Sequence, residues 1–219
     1  MRKVLATAFV SLDGVMQAPG GPEEDPTGGF QFGGWTANYW DDAIAQVMGG
    51  IFSVPYELLL GRKTYEIFAA HWPYAKDDPF AEALSNVRKY VATSSKAPLT
   101  WKNSIAIHDV PKDIARLKRE DGPTLMTQGS SQLLQTLLKH DLVDRFTLLV
   151  YPVVLGKGKR LFGAGAIPAA LKLVDSKASA SGVTINSYER AGDVKVGSFA
   201  LDQPSADELA RRERMKREG

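Results

Sequence analysis

Residues 125–132, Leu-Met-Thr-Gln-Gly-Ser-Ser-Gln, pass from a short apolar strand through a glycine turn into a helix. The helix carries leucines at positions 133, 134, 137 and 138, which share one face and predict packing against a core. Gly129 permits the tight turn, and the first N–H groups of the helix point outward without intrahelical partners. Because such a helix N-terminus attracts anions, the stretch predicts a phosphate-binding turn at the end of a strand.

The same design occurs twice upstream, in residues 58–64 (LLLGRKT) and residues 91–96 (VATSSK). Each run ends a strand with a small residue, hydroxyl groups and a cation that suit a phosphate. The residues that offer these groups are Gly61, Arg62, Thr64, Ser94 and Ser95. Open α/β sheets bind ligands at the carboxyl ends of their strands, so the three junctions together predict a phosphate-bearing ligand. The sequence contains neither GxGxxG nor GxxxxGK[ST], which disfavours an ordinary Rossmann domain and a P-loop ATPase.

The pattern around these junctions sets the fold class. From residue 4 to residue 144, apolar runs alternate with helical periodicity, and residues 40–48 predict a helix that ends at Gly49-Gly50. From residue 145 onward the sequence has four strand patterns without intervening helices. The turn signal Gly192-Asp193 predicts a hairpin between the last two of these strands. These strand segments are residues 145–151, 171–175, 183–188 and 194–201. The sequence therefore predicts an α/β fold whose mixed, mostly parallel sheet ends in an antiparallel hairpin.

Length and composition limit the possible functions. The chain has 219 residues, no cysteine and a formal net charge of +2. The length predicts one domain, residues 1–201, followed by a charged helical tail, residues 202–219. The lack of cysteine excludes disulfides, thiolate zinc sites, iron–sulfur clusters and a cysteine nucleophile. The excess of positive charge in residues 61–201 is too dilute for nucleic acid but suits a small anionic ligand. No apolar run predicts a membrane span or a cleaved leader, so we expect a cytoplasmic protein.

Four short motifs resemble the dihydrofolate reductase fold in their order and spacing. They are FVSLDG at residues 9–14, LGRKTYE at 60–66, TSS at 93–95 and QGS at 128–130. Residues 142–162, which include YPVVLGKGKRLF from residue 151 onward, are more specific. They look like the reductase domain of bacterial riboflavin biosynthesis and its stand-alone relatives. The resemblance runs from about residue 2 to residue 201 and implies a three-layer fold of the dihydrofolate reductase type.

What the resemblance implies is a reductase that binds NADPH and transfers a hydride to a small heterocyclic or carbonyl-containing substrate. The adenosine end with its 2′-phosphate would lie at Arg62 and the serine pair, and the pyrophosphate at the turn before the leucine-rich helix. The implied cofactor-binding residues are Phe9, Val10, Gly61, Arg62, Thr64, Ser94, Ser95, Gln128, Gly129, Ser130 and Ser131. Many relatives have two adjacent glycines where this chain has Gln128-Gly129. The resemblance also implies a homodimer.

The substrate side has weaker candidates. Asp13, within a Ser-Leu-Asp-Gly turn that the riboflavin-pathway relatives share, is a candidate proton donor, although an Asx-turn would also explain it. Asp41 and Asp42 are candidate acids on the helix after the first loop, with a helix N-cap as the alternative. Trp40 and Tyr151 are candidates for stacking on a flat substrate, with a core position as the alternative.

Two further features bear on the substrate. The loop from residue 14 to residue 34 carries acids at positions 23, 24 and 25 and is long enough to predict a lid or binding loop. Lys157, Lys159 and Arg160 could contact a substrate phosphate or simply cover a loop. The three histidines have no metal-ligand spacing, so no metal site is predicted.

Three functions remain open at this level. The first is the NADPH-dependent reductase of a small substrate, and the second is reduction of 5-amino-6-(5-phosphoribosylamino)uracil in riboflavin biosynthesis. The third is a nucleotide-binding protein that retains the fold without catalysis. A fused zinc deaminase is not expected, because the sequence lacks the cysteines of its zinc site.

Overall fold

The computed structural model describes residues 1–163 and 166–218, and within these residues one sheet of eight strands forms the centre of the molecule. The strands are β1 (Val4–Ser11), β2 (Tyr56–Gly61), β3 (Lys89–Ala92), β4 (Ser104–Ile107), β5 (Thr124–Gln128), β6 (Arg145–Tyr151), β7 (Leu171–Ala178) and β8 (Thr184–Arg190). Their order across the sheet is β4-β3-β2-β5-β1-β6-β8-β7. Strands β1 to β6 run parallel, whereas β8 is antiparallel to both neighbours, β6 and β7. The predicted mixed, mostly parallel sheet is confirmed.

Helices cover both faces of this sheet. Five helices pack on the sheet, namely α1 (Asp42–Phe52), α2 (Arg62–His71), α3 (Pro79–Asn86), α4 (Val110–Arg119) and α5 (Ser131–Lys139), and a further helix, α6 (Ala206–Glu218), has no buried side chain. Side chains alternate along a strand, so Val4 and Ala6 of β1 pack with α4 and α5, whereas Leu5 and Phe9 face the other layer. That layer contains Ile44 of α1 and the side chains of α2 and α3. The arrangement has the three layers expected for the fold class.

Three predictions about these elements are wrong. Residues 194–201 form no strand, and Gly192-Asp193 makes no hairpin; Gly192 instead accepts a bond from Ala170 N through its carbonyl. The antiparallel hairpin is β7–β8, which turns at residues 179–183 with Gly182 at φ +86°. The predicted end of α1 at Gly49-Gly50 is also wrong, because the helix continues to Phe52. Ile51 and Phe52 pack against the core, and this contact outweighs the low helix propensity of the two glycines.

The charged tail contains helix α6, in the segment where the sequence predicts a helix. None of its side chains is buried. Glu208 pairs with Arg211 and Arg212 at i,i+3 and i,i+4 spacing, which supports an exposed helix. No helix among the described residues has the length and hydropathy needed to cross a bilayer.

Lys89 is fully buried at the start of β3 and gives a prediction about stability. Its ammonium donates to the carbonyls of Ser85, Val87 and Lys102 and lies 4.1 Å from the centre of the Trp101 ring. Burial, with a smaller contribution from the charge of Lys102, lowers the pKa of Lys89 to about 8. In the unfolded chain a lysine titrates near pH 10.4. The unfolded state therefore binds more protons than the folded state between these two pH values.

We expect the free energy of unfolding to rise by about 2 kcal/mol between pH 7 and pH 9.5, since stability rises with pH where the unfolded state binds more protons. Urea unfolding followed by tryptophan fluorescence at several pH values measures this rise. Lys89→Met should abolish the rise, whereas Lys112→Met, a matched change at an exposed lysine of α4, should leave it. If the free energy of unfolding still rises with pH in Lys89→Met, the rise is caused by other titrating groups.

Candidate functional site

A cleft of about 1010 Å³ opens at the carboxyl ends of the parallel strands. Its walls are the ends of β2, β3 and β5, one face of α2, the start of α5 and residues 16–25 of the first loop. This is the edge of the sheet where the sequence predicts a ligand, because the carboxyl ends of parallel strands meet there.

The turn between β5 and α5 presents backbone N–H groups to this cleft. Gly129 has φ +68° and Ser130 has φ +59°, so two left-handed residues follow one another. The Ser130 hydroxyl accepts a bond of 3.0 Å from Gly61 N and thereby ties the end of β2 to the start of α5. No side chain caps α5, which leaves its first N–H groups available to an anion.

The turn between β2 and α2 is built in a similar way. Helix α2 follows Gly61 and also lacks a side-chain cap. By contrast, aspartate side chains cap α1, α3 and α4, namely Asp41, Asp78 and Asp109. The two helices whose first turns are occupied by the predicted phosphate-binding residues, α2 and α5, therefore both lack a side-chain cap. A phosphate would supply the missing acceptor.

Arg62 is held in a fixed position at the mouth of the cleft. Its Nε donates to Glu66 at 2.6 Å and its Nη1 to the carbonyl of Ala97 at 3.0 Å. Ser94 and Ser95, which follow β3, lie on the same part of the wall, as does His108, whose ring nitrogen is 2.7 Å from the carbonyl of Thr93. Guanidinium, hydroxyl and imidazole groups thus converge at one end of the cleft, a set suited to a phosphate.

A stripe along α2 lines the cleft beyond Arg62. Thr64, Ile67, Phe68 and His71 have i, i+3, i+4, i+7 spacing and therefore share one face of the helix. Ile67 and Phe68 are only half-buried, and Tyr65 is the buried residue of this helix. The motifs of the sequence do not predict this stripe, although the helical spacing of its residues is visible in the sequence.

The first loop forms the opposite wall and is held in place by Gln17. Its Nε2 donates to the carbonyls of Asp25 and Thr27 at 2.9 Å each, and its Oε1 accepts from Lys159 N at 3.0 Å. The loop also folds back tightly on itself at Gly33, where an added Cβ would lie 2.5 Å from the carbonyl oxygen of Gly21. The predicted binding loop therefore has a defined shape.

The acids of this loop differ in their surroundings. Burial raises the pKa of Glu24, whose carboxylate accepts a bond from Gly20 N. Burial also acts on Asp25, but the ammonium of Lys159 and the hydroxyl of Thr27 outweigh it and hold the pKa of Asp25 below its usual value. Glu23 is exposed on the same wall. The loop thus brings the carboxyl groups of Glu23 and Glu24 to the cleft, and neither forms an ion pair with another residue that the structure describes.

Asp13, a predicted catalytic residue, lies outside the lining of the cleft. Its carboxylate accepts bonds from Ser11 Oγ at 2.6 Å, Leu155 N at 3.1 Å and Gly156 N at 2.9 Å, and it pairs with Arg160 at 3.3 Å. The bond from Ser11 is the main cause that lowers the pKa of Asp13 to about 2. A carboxyl group with this pKa is ionised at neutral pH and is a poor general acid. In this geometry Asp13 braces the loop that follows β6.

Asp41 and the aromatic candidates also lie away from the lining. Asp41 caps α1 through Ile44 N at 3.0 Å and accepts from Ser181 N at 3.1 Å, and the first of these bonds is the main cause that lowers its pKa. Trp40 is half-exposed, with its ring centre 6.4 Å from that of Phe9. Tyr151 is fully buried, 5.2 Å from Trp35 between ring centres, and burial raises its pKa. Asp41 thus takes the N-cap position and Tyr151 a core position, whereas Trp40 is exposed and belongs to neither.

Most of the predicted cofactor-binding residues, in contrast to the predicted substrate-side residues, line the cleft. Val10 packs into the core on the α4–α5 side. The other ten line the cleft: Phe9, Gly61, Arg62, Thr64, Ser94, Ser95, Gln128, Gly129, Ser130 and Ser131. Residues that are up to 122 positions apart in sequence therefore share one cavity. Within residues 1–163 and 166–218, no three His, Asp or Glu side chains are grouped to hold a metal ion.

Known proteins resemble this chain over most of its length. The family model of the RibD C-terminal domain matches residues 2–185. The protein YyaP of Bacillus subtilis is 27% identical over 192 residues, which cover 83% of this chain and 92% of YyaP.

Solved structures show the same fold. A putative riboflavin biosynthesis protein from Shewanella sp. PV-4 matches with a TM-score of 0.60 at 18% identity, covering 86% of this chain and 99% of that one. Dihydrofolate reductase from Enterococcus faecalis, complexed with NADP(H) and RAB-propyl, matches with a TM-score of 0.55 at 16% identity, covering 86% and 96%.

Proposed function

Because this chain belongs to the RibD C-terminal domain family, we propose that it is a reductase that binds NADPH and transfers a hydride to a small molecule. The observation that carries the proposal is the pair of uncapped helix N-termini, α2 and α5, at one cleft with Arg62 between Glu66 and Ala97. NADPH has two separate phosphate positions, and the cleft offers two separate places for them.

The residues of the cleft fit NADPH in both charge and shape. The N–H groups that follow Gly129 would hold the pyrophosphate, since no side chain competes for them. Arg62, Ser94 and Ser95 would hold the 2′-phosphate, which a guanidinium fork recognises well.

When bound, NADPH supplies the hydride, and the protein's part is to align the two reactants and exclude water. The first loop would close the cleft over the nicotinamide beside Phe9. A proton must also reach the substrate. Glu24 is our candidate for this role, because burial raises its pKa and it lines the cleft, whereas hydrogen bonds lower the pKa values of Asp13 and Asp41, which lie outside the lining.

Fluorescence titration tests cofactor binding directly. We expect saturable binding of NADPH at micromolar concentration, followed by NADPH oxidation when a reducible substrate is added. Absence of saturable binding of both NADPH and NADH would contradict the proposal. Binding of NADPH without oxidation by any ring compound or carbonyl compound would favour a nucleotide-binding protein without catalysis.

The loop wall gives a second functional prediction. Gly33→Ala should raise KM for the substrate because the added Cβ would meet the backbone of Gly21 and Pro22 at 2.5–2.7 Å and displace the wall that carries Glu24. Affinity for NADPH should change little, since the phosphate positions lie on other elements. Gly21→Ala is the matched control, because a Cβ at that position meets no atom within 4 Å. Equal effects of both substitutions would argue against the close approach at Gly33.

A further inference from the structure

Strands β2, β3 and β4 end side by side at the cleft. Gly61 of β2 pairs with Ala92 of β3, and Ala92 pairs with Ile107 of β4. Arg62 and His108, which follow the first and the last of these residues, therefore leave the sheet at the same level, two strands apart. Since neighbouring strands lie about 4.8 Å apart, their backbones are about 10 Å apart, and an arginine and a histidine at this separation are long enough to meet one phosphate between them.

A series of hydrogen bonds joins the same two side chains through the loop after β3. Arg62 donates to the carbonyl of Ala97, whose own N–H donates to Ser95 Oγ at 3.1 Å. Ser95 N donates in turn to Thr93 Oγ1 at 3.0 Å, and Nδ1 of His108 lies 2.7 Å from the carbonyl oxygen of Thr93. The guanidinium and the imidazole are thus both held against this loop, and both line the cleft.

The contact with Thr93 decides which nitrogen of the His108 ring carries a proton. A carbonyl oxygen can only accept, so Nδ1 must donate to it. In the neutral ring the other nitrogen, Nε2, is then an acceptor without a hydrogen. Nε2 has no hydrogen-bond partner among the residues that the structure describes. Only the doubly protonated ring can therefore donate to a phosphate from Nε2.

The charged side chains around His108 are engaged elsewhere. They belong to α2, to the loop after β3 and to the start of α4, namely Arg62, Glu66, Lys96, Asp109, Lys112 and Asp113. Glu66 pairs with Arg62, Asp109 accepts a bond from Lys112 N at 3.1 Å, and Asp113 accepts one from Asp109 N at 3.3 Å. Within the described part of the chain, His108 itself forms no ion pair. A bound phosphate would supply the counter-charge that these carboxylates do not.

We propose that His108 is a second determinant of the preference for NADPH over NADH, and that its imidazolium donates from Nε2 to the 2′-phosphate. The inference rests on the proposed function, which assigns this phosphate to Arg62, Ser94 and Ser95. Because the neutral ring has no hydrogen to donate from Nε2, binding of NADPH takes up a proton at His108, whereas binding of NADH, which lacks the 2′-phosphate, does not. Histidine side chains ordinarily titrate between pH 5 and 8, so the preference for NADPH weakens as the pH rises through this range.

The ratio of the dissociation constants, Kd of NADH divided by Kd of NADPH, tests the proposal. Fluorescence titration measures both constants between pH 6.5 and pH 8.5, where a phosphate monoester, with a second pKa of about 6, is already mostly dianionic. We expect the ratio to fall by about fivefold over this range, a change of the size expected for one charge-assisted hydrogen bond at an exposed site.

The chain has three histidines, so three alanine variants assign this pH dependence completely. His108→Ala should lower the ratio at pH 6.5 and leave it nearly constant up to pH 8.5, with NADH binding unchanged as evidence that the variant is folded. His140→Ala is the matched control, because His140 is an exposed histidine at the end of α5 and lies outside the lining of the cleft. It should reproduce the fall seen in the wild type.

Two results would overturn the proposal. One is a ratio in the wild type that stays constant or rises with pH. The other is a fall that persists in His108→Ala and is lost in His71→Ala, since His71, at the end of α2, also lines the cleft. Both results leave NADPH binding itself intact, whereas the proposed function fails only if neither cofactor binds.

Discussion

Replacement of Arg2 by methionine is expected to lower the free energy of unfolding by about 3–5 kcal/mol. The Arg2 guanidinium is almost fully buried and forms an ion pair with Glu57, while its Nε donates to the carbonyl of Pro123 at 2.7 Å. It also lies 5.9 Å from the centre of the Tyr90 ring. Without Arg2, the buried carboxylate of Glu57 would keep only Arg88, a half-exposed arginine at 3.5 Å.

Urea unfolding measures this effect, and Arg116→Met is the matched control. Arg116 also pairs with a carboxylate, Glu120, but both side chains are about half-exposed. Exposed pairs of this kind contribute about 0–1 kcal/mol because water screens them. A loss below about 1 kcal/mol in Arg2→Met would contradict the prediction and would show that water or a rearranged Arg88 compensates the Glu57 carboxylate.

The sequence predicts the strands of this fold better than the ends of its helices. Strand β6 has its predicted limits, residues 145–151, and β7 and β8 begin within one residue of the predicted segments 171–175 and 183–188. Helix α1 extends past Gly49-Gly50 because Ile51 and Phe52 have a core to pack against, which local propensity does not reveal. Residues 194–201 have a strand pattern but no neighbouring strand, and a strand needs a partner.

The cofactor half of the candidate site is also more predictable than the substrate half. Gly61, Arg62 and Gly129 act through turn geometry and helix N-termini, which are local features that a single sequence displays. The substrate half depends on which face of α2 is left uncovered and on how the first loop folds. Asp13 is conspicuous in the sequence, but the backbone N–H groups that bind its carboxylate come from Leu155 and Gly156, and only the folded chain brings these together.

Arg62→Ala is expected to weaken NADPH binding by about 10- to 100-fold and to change NADH binding by less than about twofold. The two cofactors differ in the 2′-phosphate, which is present only in NADPH. A charge-assisted hydrogen bond from a guanidinium to a phosphate accounts for an effect of this size. Fluorescence titration of both cofactors against the wild type and the variant measures the change in preference.

The position of Arg62 makes the comparison with Arg62→Lys informative. Glu66 and the carbonyl of Ala97 hold the guanidinium fork in one orientation, and a lysine keeps the charge without that fork. If Arg62 recognises the 2′-phosphate, Arg62→Lys should retain a preference for NADPH that lies between those of the wild type and Arg62→Ala. Arg145→Ala, which removes an exposed arginine on β6, should alter neither cofactor. Equal weakening of NADPH and NADH in Arg62→Ala would instead mean that Arg62 serves the structure of the β2–α2 turn, because its two bonds there would be lost whichever cofactor binds.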